Sequence, residues 1–152
     1  MVDTIKELSG LSQQLNKKSD KLNSIIAEIN QKLLALNIGI EVWLIDWPLV
    51  EDDPRDYNED IEPCAPWRSA TLLGYAEADD EWQLAIKECV LTEIEQQDVV
   101  SNSRMPRPLS RASRVLRASA MSAIPNLLDQ LKVRAEHVLR SIDKAEKAAE
   151  KL

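Results

Sequence analysis

The chain lacks phenylalanine and has few other aromatic residues, namely four tryptophans and two tyrosines among 152 residues. A hydrophobic core must therefore be built mainly from leucine, isoleucine, valine and alanine. The three glycines argue against glycine-rich phosphate loops and against a large all-β fold with many tight turns. The two cysteines, Cys64 and Cys89, are too few for a disulfide framework, and their spacing matches no zinc motif.

Basic residues are in the minority, with 19 against 26 acidic residues and a formal net charge of −7. Nucleic acids and anionic membranes repel an acidic protein, so this charge disfavours both as general partners. The first residues show no basic segment followed by an apolar one, and apolar runs are only a few residues long. The sequence therefore predicts no secretory signal, no membrane span and a reduced, cytoplasmic location.

A long helix is predicted over residues 1–37, where apolar residues return at every seventh position. One row consists of Leu8, Leu15, Leu22, Ile29 and Leu36. Leu11 and Ile25 share the second seam position with Lys18 and Lys32, which is the a/d pattern of a coiled coil. Such a helix cannot bury its apolar stripe alone, so it needs a partner.

A similar pattern fills the other end of the chain. The two apolar rows there are Ile124, Leu131, Val138, Ala145 and Leu152, and Met121, Leu128, Ala135, Ile142 and Ala149. Pro125 interrupts the pattern, so kinked or broken helices are predicted over residues 110–152. Either Ser122 caps a fresh helix with Pro125 in its first turn, or one long helix kinks there. We expect the two terminal helices to form an antiparallel coiled-coil-like hairpin, although the same seams could pair between chains.

The middle of the chain, residues 38–95, favours a small sheet. The segments 38–45, 71–76 and 82–90 are rich in β-branched and aromatic residues, and residues 77–80 suit a hairpin connection. Residues 48–66 and 96–108 are polar and proline-containing, which indicates loops. The expected fold is one α+β domain, 1–152, with a three-stranded antiparallel β-meander between the helices.

The loop at 48–66 is strongly acidic, with seven acidic residues and one arginine. Asp56, Asn58 and Asp60 match the first ligand positions of a calcium loop, but the pattern then fails. Ile61 stands where the sharp turn needs glycine, and Trp67 stands where a bidentate glutamate would close the site. A solvated loop is the simpler interpretation, and no metal or cofactor is predicted.

A series of arginines forms a possible interaction surface in a stretch without acids: Arg104, Arg107, Arg111, Arg114 and Arg117. Guanidinium groups suit phosphates and carboxylates, so contact with an acidic protein or a nucleic acid is one interpretation. No aromatic residue is interleaved to stack on bases. Pairing with the acidic loop, or plain solvation, is the simpler alternative.

The four tryptophans could line a ligand pocket or fill the core of the sheet: Trp43, Trp47, Trp67 and Trp82. Catalytic patterns are weak, since His137 is the single histidine and no serine or cysteine has a visible activating base. The sequence therefore favours a non-catalytic interaction or structural protein that associates with itself or with another protein. The alternative is a small-ligand or nucleic-acid binding module that uses the tryptophans or the arginines.

Overall fold

The computed structural model describes residues 1–52 and 67–152. Helix α1 spans Val2–Leu36 and helix α2 spans Arg114–Glu150, with a 3-10 helix at Leu109–Arg111 before α2. Between them lie six strands: β1 Val42–Trp43, β2 Val50–Glu51, β3 Trp67–Ala78, β4 Glu81–Ile94, β5 Gln97–Ser101 and β6 Arg107–Pro108. An α+β fold with helices at both ends and an antiparallel sheet is thus confirmed.

The six strands occupy only four positions across the sheet. β1 and β2 both pair with the same edge of β3, and β5 and β6 both pair with the outer edge of β4. The long β3–β4 hairpin is therefore the centre of the sheet. The expected three-stranded meander is wrong, because the sequence pattern did not reveal the short strands on either edge.

Two hairpins turn through two-residue loops without glycine. Asp79 and Asp80 join β3 to β4, and Glu95 and Gln96 join β4 to β5, all four with positive φ. The first hairpin confirms the connection expected at 77–80. The second was not expected, since glutamate and glutamine are atypical of the left-handed turns that close such hairpins. The expected loop at 96–108 is therefore partly wrong, as it contains β5 and β6.

Side chains on the two faces of the β3–β4 hairpin belong to different cores. On one face Leu73, Tyr75, Leu84 and Ile86 pack under both helices. On the other face Leu72 and Leu91 form a smaller cluster with Cys89 and Ala70, and Trp43, Ile45 and Val100 cover it. The helices thus bury their apolar stripes mainly against the sheet.

The two helices run in the same direction where they meet. Asn16 accepts a hydrogen bond from Arg114, and Asn23 accepts one from Arg117. Further along, Leu33 of α1 lines a groove together with Leu131 of α2. The contacts advance along both helices together, so the expected antiparallel hairpin is wrong in direction. The sheet takes up most of the buried side chains of both helices, so the expected coiled-coil pairing is not confirmed.

Helix α2 is continuous from Arg114 to Glu150 and passes through Pro125. Its cap is Ser113, whose Oγ accepts a hydrogen bond from the backbone N–H of Leu116. The expected break at Ser122 is wrong, since the Ser122 hydroxyl instead donates to the carbonyl of Ser119 within the helix. Pro125 is exposed, so its ring faces solvent and the helix continues without it disturbing the core.

An ion-pair cluster joins the two edges of the sheet. Arg68 donates hydrogen bonds to both carboxylate oxygens of Asp98, at 3.0 and 2.7 Å, and to Glu51 at 3.0 Å. The Arg68 hydrogen bonds lower the pKa of Asp98, against a smaller opposing effect of burial. Placing a charge on the edge strand β5 also discourages pairing with the edge of another sheet.

We expect Gln96→Gly to stabilise the fold. A left-handed backbone costs a residue with a side chain about 1 kcal/mol relative to glycine, so the free energy of unfolding should rise by about that amount. Urea unfolding measures it. Gln97→Gly, one residue further on in β5, is the matched control and should lower stability; a loss at both positions would contradict the turn assignment.

Asp98→Asn should lower the free energy of unfolding at neutral pH by about 1 kcal/mol, because it removes a charged partner of Arg68. The folded pKa of Asp98 is depressed, so its contribution is complete above the unfolded pKa, about 3.9, and is lost as pH falls through the folded pKa. The stability difference between the parent and the variant should therefore shrink in acid. Urea unfolding from pH 3 to 7 measures this, and a difference independent of pH would refute it.

Candidate interaction surface

Two of the four tryptophans, Trp43 and Trp82, pack on opposite faces of the sheet. Trp43 lies over Gly74, where an added Cβ would overlap both the Trp43 ring and the carbonyl oxygen of Val42. The ammonium of Lys87 lies 4.4 Å from the centre of the Trp43 ring. Trp82 packs under the helices, with its ring 5.6 Å from that of Tyr75.

The other two tryptophans, Trp47 and Trp67, are exposed. Trp43 lines two shallow pockets beside α2, and Trp82 belongs to the main core. The structure therefore does not gather the four side chains around one cavity. The ligand positions Asp56, Asn58 and Asp60, together with Cys64, lie outside the described residues.

The arginines are dispersed over several elements and pair internally. Arg104 and Arg107 approach the carboxylate of Glu88 at 3.3 and 3.4 Å, and Arg111 approaches Asp79 at 2.6 Å. The partners described here belong to β4 and to the β3–β4 turn, rather than to the acidic loop. These pairs are largely exposed, so each contributes little to stability.

The two remaining arginines meet a row of asparagines that the sequence analysis missed. Asn16, Asn23, Asn30 and Asn37 lie seven residues apart on α1 and at its end. Asn16 and Asn23 accept hydrogen bonds from Arg114 and Arg117, and Asn30 accepts one from the backbone N–H of Leu84 at 2.8 Å. Asn37 ends the helix in a left-handed conformation. The seven-residue spacing is the signal that could have revealed this row.

Arg117 is a buried cation without a carboxylate partner among the described residues. Its side chain is enclosed between the helices, only 8% of the residue is exposed, and its Nε atom has no hydrogen-bond acceptor. The side-chain oxygen of Asn23 is a neutral partner, which compensates a buried charge less well than a carboxylate. The contact therefore fixes the relative position of the helices more than it stabilises them.

The start of α1 leaves its apolar seam uncovered. Every residue in 1–18 is exposed, and Ile5, Leu8, Leu11 and Leu15 remain 53–62% exposed. We call residues 2–18 the N-terminal arm. Burial begins at Ser19 and continues at Ile26 and Leu33. These three buried residues lie beside the predicted seam and not in it. Within the seam Leu22, Ile25 and Ile29 are half-buried, and Leu36 is exposed again.

The end of α2 is uncovered in the same way. Every residue in 139–152 is exposed, and we call residues 139–150 the C-terminal arm. The last buried residue of α2 is Leu131. Since the helices run in the same direction, the two arms project from opposite ends of the folded body.

Residues 1–52 and 67–152 contain no group of three or more histidine, cysteine, aspartate or glutamate side chains that could hold a metal ion. Cys89 is buried, and burial raises the pKa of its thiol against a smaller lowering by Lys87. His137 lies exposed on α2. A shallow pocket of about 520 Å³ is lined by Asp52, Glu88 and Arg104, among others. Neither helix has an apolar segment that could cross a membrane.

Comparison of the chain with models of protein families, with curated proteins and with solved structures finds no match. The interpretation of the surface therefore depends on its own chemistry.

We expect Asn23→Asp to raise the free energy of unfolding by about 1–2 kcal/mol, because a carboxylate of the same shape would give Arg117 a charged acceptor. Chemical denaturation at pH 7 measures the change. Asn16→Asp is the matched control, and it should have a smaller effect because Arg114 is exposed. The gain should vanish when Arg117 is also replaced by methionine. A loss of stability in Asn23→Asp would contradict the interpretation that Arg117 is a buried cation without a charged partner.

Proposed function

We propose that this is a non-catalytic structural protein that self-associates, with the N-terminal arm as the contact surface. The observation that carries the proposal is the exposure of Leu8, Leu11 and Leu15 on the arm, which have the a/d spacing of a coiled coil. Isolated apolar residues on a surface are ordinary, but a regular stripe along a projecting helix is typical of a surface that another helix covers.

The two arms are the longest fully exposed stretches within residues 1–52 and 67–152. A helix that projects in this way offers a partner helix an uncovered side along its whole length, and this supports a contact surface on one of the arms.

The N-terminal arm is the better contact surface of the two. Its stripe is formed by large side chains, namely Ile5, Leu8, Leu11 and Leu15. The C-terminal arm carries only two large apolar side chains, Leu139 and Ile142, together with small alanines, and the charged residues around them favour solvation. Burying leucine and isoleucine stabilises an interface by about 1.5–3 kcal/mol for each fully buried side chain. An interface on the N-terminal arm would therefore be more stable than one on the C-terminal arm.

Leu11→Glu should abolish self-association without weakening the fold of the single chain. Leu11 makes no contribution to the buried core, so the free energy of unfolding at low concentration should change by less than about 0.5 kcal/mol. Light scattering over a range of micromolar concentrations measures the mass, and thermal unfolding checks the fold.

The matched control is Gln13→Glu, which places the same charge on the outer side of the same arm and should leave the mass unchanged. A parent protein that remains monomeric throughout the concentration range would overturn the proposed function.

A further inference from the structure

The charges of the N-terminal arm are distributed unevenly along its length. The first half carries two acids, Asp3 and Glu7, with one base, Lys6. The second half carries Lys17 and Lys18 and no acid before Asp20, which is beyond the arm. The side-chain charges of the two halves therefore differ in sign, and two copies of the arm bring unlike halves together when they run in opposite directions.

The position of Lys18 favours an antiparallel pair more strongly than the overall charges do. It occupies a seam position, seven residues after Leu11. In a parallel pair Lys18 would face Lys18 of the second copy inside the seam, and like charges in contact are destabilising. In an antiparallel pair that aligns residues 1–18 with each other, Lys18 lies opposite Met1 of the second copy, in the turn that carries Asp3, and no longer faces a second lysine.

The antiparallel arrangement also buries the apolar side chains of the arm. Coiled-coil packing in this register places Leu8 of each copy against Leu11 of the other, so two such contacts lie at the centre of the pair. Leu15 then lies against Thr4 of the second copy at each end. The paired segment is about 27 Å long, so the two folded bodies lie toward its opposite ends.

The contacts within one chain leave this side of α1 free. The sheet and α2 cover the face that carries Ser19, Ile26 and Leu33, together with the asparagine row. α2 begins at Arg114, which contacts Asn16. The arm before Asn16 therefore extends beyond the first turn of α2, where a second helix can lie alongside it.

We infer that two copies pair through antiparallel N-terminal arms about a two-fold axis, with Leu8 of each copy against Leu11 of the other. This inference rests on the proposed self-association and specifies its geometry. A two-fold pairing closes on itself, so it produces a dimer and not an open filament.

Cysteine substitution tests the direction of the pair. In a chain carrying Cys64→Ser and Cys89→Ala, the double variant Thr4→Cys with Leu15→Cys should form a covalent dimer under mild oxidation. The two positions within one chain are about 16 Å apart along the helix, which is too far for a disulfide. The matched controls are the two single variants, each of which should remain free of covalent dimer.

The outcomes separate this inference from the proposed function. Covalent dimer in the single variant Leu15→Cys would show a parallel pair and overturn the inference while leaving self-association in place. A parent that doubles in mass, with no covalent dimer in the double variant, would likewise overturn the inference alone. A parent that stays monomeric at all micromolar concentrations would overturn both.

Charge reversal provides a second measurement that does not depend on disulfide geometry. Asp3→Lys and Lys18→Glu should each weaken dimerisation several-fold, as read from the concentration at which half the chains are dimeric. The double variant restores opposite charges across an antiparallel pair and should recover much of the loss. Failure to recover, with the fold intact by circular dichroism, would overturn the antiparallel register.

Discussion

Burial of one face of the β3–β4 hairpin is the interaction on which the rest of the structure depends. Leu73, Leu84 and Ile86 are fully buried there, under side chains from both helices. Each such side chain contributes about 1.5–3 kcal/mol, so the helices lie where they can cover this face. The helices of 35 and 37 residues would be about 53 and 56 Å long, and only part of each lies over the sheet. Their direction and stagger then leave the two arms at opposite ends of the body.

Polar contacts determine how the helices are placed on that face. Apolar side chains tolerate small shifts, whereas the hydrogen bonds of Asn16, Asn23 and Asn30 each require one partner at one position. The bond from Leu84 to Asn30 also satisfies a backbone N–H at the edge of β4, beyond the last residue paired with β6. A neutral amide is a modest partner for the buried Arg117, so this contact favours a specific arrangement more than stability.

The periodicity of the sequence predicted the long first helix, the two long strands β3 and β4 and the short β1 within residues 38–45, because hydrophobic spacing depends directly on local geometry. It did not predict β5, since the turn residues Glu95 and Gln96 lack the usual preference for a left-handed backbone. It also left open what covers each helix: a seven-residue repeat predicts a stripe that needs a partner, but not whether a helix or a sheet provides it. The asparagine row was visible in the sequence, and its contacts became clear only when α2 was placed beside it.

The exposed half of the seam has a consequence for folding as well as for association. A helix of 17 residues is marginally stable by itself in water, and the arm gains no tertiary contact before Asn16. Gly10 lies within the arm, in open space, and weakens it further. A second arm that covers Leu8 and Leu11 would supply the packing that most helices in proteins receive from their own domain. Formation of the arm and association of two chains would then be coupled, so that each stabilises the other.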